Sequence, residues 1–254
     1  MAASEHDSPD PDGLEQGLFS HLIELRTRLM RALFTVAVVL VALIPFANRL
    51  YSELAQPLVK RLPQGAHLIA TEVAGGFVTP LKLAFYTALF IGMPMILYQL
   101  WAFVSPGLYR NEKRLARPLL AAALLLFYLG CAFAYFLVLP AAFRFLTAVT
   151  PEGVEMMTDI SHYLDFVMLM FFAFGLCFQV PVIVVVLAAI GVVNLEQLRN
   201  GRRYAIVGAF AISAFITPPD ITSMIMLAIP MCLLYELGVL AVRWLLKPGQ
   251  TEAA

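Results

Sequence analysis

This chain is short of charge. Asp, Glu, Lys and Arg together make up 13% of its 254 residues, about half the share expected of a soluble domain. No hydrophilic loop carries a cysteine. Cys131, Cys177 and Cys232 all lie inside apolar runs, so no disulfide framework is implied. There is no His-Glu-x-x-His zinc pattern, no Gly-x-Ser-x-Gly elbow and no phosphate-binding loop. The four histidines, His6, His21, His67 and His162, are scattered. These absences argue against an enzyme and against a resident metal or cofactor. Internal repeats and low-complexity segments are also missing. The net charge is zero, which by itself says nothing of partners. The stretch Met1 to Gln16 is acidic and contains proline. It lacks the basic start and cleavage site of a signal peptide and is expected to be a disordered tail.

Apolar sequence is abundant, at 61% of residues. It falls into six runs: Ala32 to Ala47, Phe77 to Phe103, Pro118 to about Phe143, Phe166 to Val193, Tyr204 to Ile216 and Ile221 to Val242. A membrane span needs about 20 apolar residues. The length therefore accommodates six spans with short loops and no soluble domain. The fold class is all-α integral membrane protein with six transmembrane helices. Pro80, Pro94, Pro181 and Pro230 fall inside the runs and predict kinked spans, which neighbouring helices can tolerate by re-satisfying the backbone.

Lys and Arg give the orientation. Arg26, Arg28, Arg31, Arg110, Lys113, Arg114, Arg117, Arg199, Arg202, Arg203, Arg243 and Lys247 all fall on one alternating set of loops. The opposite set holds Arg49, Lys60, Arg61 and Arg144, with Lys82 just inside the second run. Both termini are thus expected on the cytoplasmic side. The segments 48–76 and 147–162 face outward, and their apolar residues (Leu50, Leu54, Leu58, Val59) predict packing as a cap. The last two spans are expected to be short, the sixth being apolar only from Ile221 to Tyr235 before Glu236. Between them Thr217-Pro218-Pro219-Asp220 cannot continue a helix, and Asp220 can cap the next one. Two arrangements fit: a short hairpin whose tip sits below the membrane surface over thinned bilayer, or a re-entrant hairpin buried by other helices.

Three polar features stand out. Leu18, Leu22, Leu25 and Leu29 recur at helical spacing before the first span and predict an amphipathic surface helix. Within it Glu24 lies four residues before Arg28, the favoured order for a local ion pair. In the loop after the second span, Glu112 is the one acid among Arg110, Lys113, Arg114 and Arg117. Each acid reads either as local neutralisation or, since both share a membrane face, as half of a site for two guanidinium groups. Gln179 falls near mid-depth of the fourth span, where a polar group needs an interhelical partner or a water-filled cavity.

The stretches His21-Leu-Ile-Glu-Leu-Arg26, Tyr98-Gln-Leu-Trp-Ala-Phe103, Phe133-Ala-Tyr-Phe136, Pro151-Glu-Gly153 and Thr217-Pro-Pro-Asp220, in this order, resemble the TatC family. TatC is the multispanning receptor of the twin-arginine protein translocase. The resemblance runs from about Leu18 to Leu246. It implies a cupped six-span domain over 18–246, between the tail 1–17 and a short cytoplasmic tail 247–254, in a bacterial cytoplasmic membrane. It also implies binding of paired-arginine signal peptides on folded cargo, and work with TatB and TatA in a multimeric complex driven by the proton-motive force. No nucleic acid enters.

By position, His21, Glu24, Arg26, Phe103 and Glu112 match the family's signal-peptide site. Pro57 matches a sensitive outer-loop residue, and Thr217, Asp220 and Met224 match the region that contacts the small partners. Two positions depart from the family pattern: Gln179 stands where Glu is frequent, and Met224 where Gln is frequent. A small-solute secondary transporter is the rival reading, yet the repeats and broken midplane helices typical of such folds are not evident.

Overall fold

The computed structural model describes residues 11–59, 69–104, 116–149, 159–216 and 221–245. Nearly everything described is helical, as a chain in hydrocarbon requires of its backbone. The helices are α1 (Pro11–Leu43), α2 (Ala47–Val59), α3 (Gly75–Val104), α4 (Ala116–Phe133), α5 (Leu139–Val149), α6 (Ile160–Cys177), α7 (Val180–Ala189), α8 (Leu195–Asn200), α9 (Arg202–Ile216) and α10 (Ile221–Leu245). Of the expected tail, residues 1–10 lie outside the described residues, and Pro11 to Gly17 continue α1.

Five candidate spans are long and apolar enough to cross a membrane: Leu22–Glu53, Gly75–Phe103, Arg117–Phe145, Ile160–Ala189 and Met224–Trp244. The remaining run forms α9. Its 15 residues make about 22 Å of helix, short of the roughly 30 Å hydrocarbon core.

The expectation that the last helix is also short is corrected. α10 has 25 residues, about 38 Å. Glu236 does not end it, because Arg202 of α9 donates to the Glu236 carboxylate at 2.8 Å. With that charge matched, the apolar sequence continues through the buried Val239 and Val242. The Thr217–Asp220 turn lies outside the described residues.

Proline sets the breaks. It lacks an N–H and its ring presses on the carbonyl four residues earlier. Pro45 sits in the 3-10 turn Ile44–Phe46 between α1 and α2. Pro140 follows a π turn, Ala134–Val138, that joins α4 to α5. Pro181 opens α7 directly after the break from α6, with Gln179 at the N-cap. The kink expected in the fourth span is therefore a break between two helices.

Helices α4 and α6 cross so closely that side chains are excluded at the contact. A Cβ on Gly130 would lie 2.6 Å from the Phe174 backbone oxygen, and one on Gly175 would lie 2.6 Å from the Phe127 ring. Both phenylalanines are fully buried. Phe90 of α3 stacks on Phe172 of α6 at 5.0 Å between centroids, which brings α3 into the same layer. α10 reaches α7 through Gly238, where a Cβ would meet the Pro181 Cα at 2.9 Å. Small residues let backbones approach in lipid, where dispersion rather than hydrophobicity holds helices together.

The outer segments are tied to each other. Asp159, the N-cap of α6, accepts hydrogen bonds from the Thr71 backbone N–H at 2.8 Å, the Thr71 hydroxyl at 2.6 Å, and the N–H groups of Ser161 and His162. Ile160 N–H donates to Ile69 C=O at 2.9 Å. Those donors, the Thr71 hydroxyl foremost, hold the Asp159 carboxyl well below the usual carboxylate range. Its folded pKa being depressed, its contribution is present above the unfolded pKa and is lost only as pH falls through the lower folded one. The first outer segment is helical through Val59, and Leu50 and Tyr51 pack against the core.

The α4–α6 crossing generates a stability prediction. Gly130→Ala is expected to destabilise the protein by about 1–3 kcal/mol, the usual cost of overpacking a rigid contact. Thermal unfolding in detergent measures it, and an unchanged midpoint would contradict so close a crossing.

Candidate functional site

The segment carrying Glu24 is not a separate surface helix. It forms turns of the continuous helix α1, with Leu22, Leu25 and Leu29 all exposed. The expected ion pair forms: Arg28 Nε donates to Glu24 Oε1 at 2.9 Å, and Arg28 Nη2 reaches the same oxygen at 2.5 Å. Both bonds use one carboxylate oxygen. Among the described residues Oε2 has no partner, and a carboxylate can accept at both oxygens. The Glu24 side chain remains 37% exposed. The local pair thus orients the acid without filling it. Arg26 is exposed on the same helix. His21 also lies on α1, but its side chain is outside the described set.

Packing of α1 on α3 sets the level of Glu24. Ala32 and Val36 of α1 are buried, and a Cβ on Gly92 of α3 would meet Val36 Cγ2 at 3.0 Å. The helices run in opposite directions. Going back from Val36 to Glu24, or on from Gly92 to Val104, covers about 18 Å at 1.5 Å per residue. Glu24 is therefore level with the end of α3, where Phe103 is half-buried. Glu112 falls in the segment between α3 and α4 and lies outside the described residues.

An apolar groove of about 460 Å³ runs from this end of α3. Leu97, Leu100 and Trp101 of α3 form one wall, and Leu176, Gln179, Val182, Ile183 and Val186 of the α6–α7 break form the other. Gln179 is buried, and its Nε2 donates to the Ala123 carbonyl of α4 at 2.9 Å. The interhelical hydrogen bond is thus what satisfies it, and the same residue lines the groove.

The other predicted positions are dispersed. Pro57 lies in α2 and Met224 is half-buried near the start of α10. Thr217 and Asp220 lie outside the described residues.

The structure adds two features that sequence reasoning missed. Lys82 of α3 pairs with Asp165 of α6 at 3.0 Å, beside a Thr79–Ser161 hydroxyl contact at 2.6 Å. Lys82 was visible as a cation inside a span, but its partner is 83 residues away. The other feature is Gln99, 5% exposed, whose Oε1 has no hydrogen-bond partner among the described residues. Its position between Tyr98 and Trp101 in a polar-aromatic stretch was the available signal.

Known proteins resemble this chain over most of its length. The family model described as Sec-independent protein translocase protein (TatC) matches residues 20–230. The Sec-independent protein translocase protein TatC of Escherichia coli strain K12 is 50% identical over 237 residues, covering 93% of this chain and 92% of its own. That of Azotobacter chroococcum mcd 1 is 51% identical over 231 residues, covering 91% and 90%. A crystal structure of the twin-arginine translocase receptor TatC superposes with a TM-score of 0.76 at 36% identity, covering 89% of this chain and all of that one.

A buried, unpaired amide oxygen costs about 1–3 kcal/mol. Gln99→Leu is therefore expected to raise the thermal midpoint of the ligand-free protein. A lowered midpoint would show that Oε1 is partnered in the native state.

Proposed function

The chain belongs to the TatC family of Sec-independent protein translocase proteins, and from that premise we propose how it works as a receptor subunit of the twin-arginine translocase. It is a multi-pass membrane protein and not an enzyme. It captures paired-arginine signal peptides of folded cargo at the end of the bundle where α1 and α3 come level. The observation that carries this reading is Glu24, whose carboxylate is held by Arg28 through one oxygen and open at the other, level with the end of α3.

Arginine suits such a site better than lysine. Its planar fork engages a carboxylate bidentately, whereas an ammonium is a point charge. Glu24 takes one guanidinium and Glu112 the other, with Phe103 beside them and His21 and Arg26 shaping the approach. A charged hydrogen bond contributes about 1.5–3 kcal/mol when partly desolvated, against about 0–1 kcal/mol when fully exposed. The apolar part of the signal peptide lies in the groove between α3 and α7, down toward Gln179.

Twelve of the 17 basic residues fall on the loop set that includes this end, which supports a cytoplasmic site with both termini inside. The membrane is the bacterial cytoplasmic membrane. TatB- and TatA-type small proteins dock on the α9–α10 hairpin near Thr217, Asp220 and Met224, and Pro57 belongs to the outer cap. The complex self-associates and uses the proton-motive force.

Binding of the purified protein to an Arg-Arg signal peptide and to its Lys-Lys twin tests the site. The Arg-Arg peptide is expected to bind more tightly by about tenfold, one charge-assisted contact's worth. Glu24→Gln combined with Glu112→Gln is expected to abolish the preference. Undiminished Arg-dependent binding in the double variant would contradict the assignment.

A further inference from the structure

A second concave site lies between α8, α9 and α10, and the receptor reading makes no use of it. It is a cleft of about 400 Å³. Three guanidinium groups converge on it: Arg199 from the last turn of α8, Arg202 from the first residue of α9, and Arg243 from the last turn of α10. Arg202 is paired with Glu236. Among the described residues no carboxylate pairs with Arg199 or Arg243. Among the described residues that line the cleft, three cations face one anion. The remaining wall is apolar, with Leu233 and Leu237 both more than half exposed.

The basic rim is firmly built. α7 ends with Gly191 at a φ of 77°, where Val192 N–H donates to Leu187 C=O and Gly191 N–H to Ala188 C=O. This is the Schellman arrangement that a left-handed glycine permits. Three residues on, Asn194 and Gln197 form a reciprocal capping box that starts α8. The Tyr235 hydroxyl then donates to Leu198 C=O at 2.8 Å, fixing α8 to α10. Arg199 thereby lines the cleft from a helix tied at its start and along its side.

The cleft also straddles a membrane boundary. The candidate spans Ile160–Ala189 and Met224–Trp244 both end at this side of the molecule. From there the cleft reaches inward along α10 to Glu236, about 12 Å short of Trp244 at 1.5 Å per residue. Arg243 lies at the end of the last span, and Leu233 and Leu237 lie deeper along α10, beside the Arg202–Glu236 pair.

We propose that this cleft binds an anionic phospholipid. The headgroup phosphate sits between Arg199 and Arg243, whose forks match phosphate oxygens. An acyl chain lies along Leu233 and Leu237. A free phosphate would satisfy the charge but leave the apolar wall bare, whereas a phospholipid matches both halves and is the solvent on this face. Basic pockets between spans hold anionic headgroups in this way. The bound lipid ties the open end of the α9–α10 hairpin to the bilayer.

Native mass spectrometry of the detergent-solubilised full chain tests the proposal, with dioctanoyl phosphatidylglycerol and dioctanoyl phosphatidylcholine as probes. Wild type is expected to retain the glycerol lipid over the choline lipid by about tenfold. Arg199→Gln with Arg243→Gln is expected to remove that preference while far-UV circular dichroism stays unchanged. Equal retention of both lipids, or an intact preference in the folded double variant, would overturn the proposal. So would displacement of the lipid by glycerol phosphate at equal concentration. Should the double variant fail to fold, Glu236→Gln decides. Removing the competing carboxylate is expected to raise phosphatidylglycerol retention, and unchanged or weaker retention would overturn the site.

Discussion

Hydrocarbon offers no hydrogen-bond partners, and the rest of this structure follows from that constraint. Every backbone group must be satisfied within a helix or by a neighbour. Helices cannot be driven together by exclusion from water, so they need close backbone approach instead. Gly130 and Gly175 supply it between α4 and α6, and Gly238 supplies it between α10 and α7. With these crossings in place, Phe90, Phe127, Phe172 and Phe174 fill the layer between them. The breaks that proline imposes then become usable. Gln179, at the break before Pro181, lines the groove.

The same constraint explains where charge is allowed. Among the charged pairs described within or beside a span are Glu24 with Arg28, Lys82 with Asp165, and Glu236 with Arg202. The first differs from the others in kind. It closes within one helix turn. A carboxylate so oriented, level with the end of a neighbouring span, suits reception of an incoming guanidinium. The other two pairs join separate helices and stabilise their register.

Local features were legible in the sequence and distant pairings were not. The apolar runs, an irregularity at Pro181, the shortness of α9 and the Glu24–Arg28 pair all follow from neighbours within a few residues. The continuation of α10 past Glu236 does not, because the matching Arg202 lies 34 residues away. Asp159 is likewise an ordinary acid until Thr71, 88 residues earlier, is brought to it. Gln99 looked like part of a polar-aromatic stretch, and only packing reveals that its Oε1 is buried without a described partner. For the candidate site, Glu24 and Phe103 could be read as ends of spans, while their common level required the Val36–Gly92 contact. Glu112, Thr217 and Asp220 lie outside the described residues, and their roles rest on family position.

The central claim is that paired arginines dock beside Glu24 while the apolar part of the peptide enters the groove between α3 and α7. Disulfide crosslinking measures this most directly. A twin-arginine peptide with one cysteine in its apolar segment is offered to proteins carrying a single accessible cysteine at Leu100, Ile183, Val41 or Phe215. The account predicts crosslinks at Leu100 and Ile183 that vanish with a Lys-Lys peptide, and none at Val41 or Phe215. Equal crosslinking at all four positions, or crosslinks indifferent to the arginine pair, would contradict it.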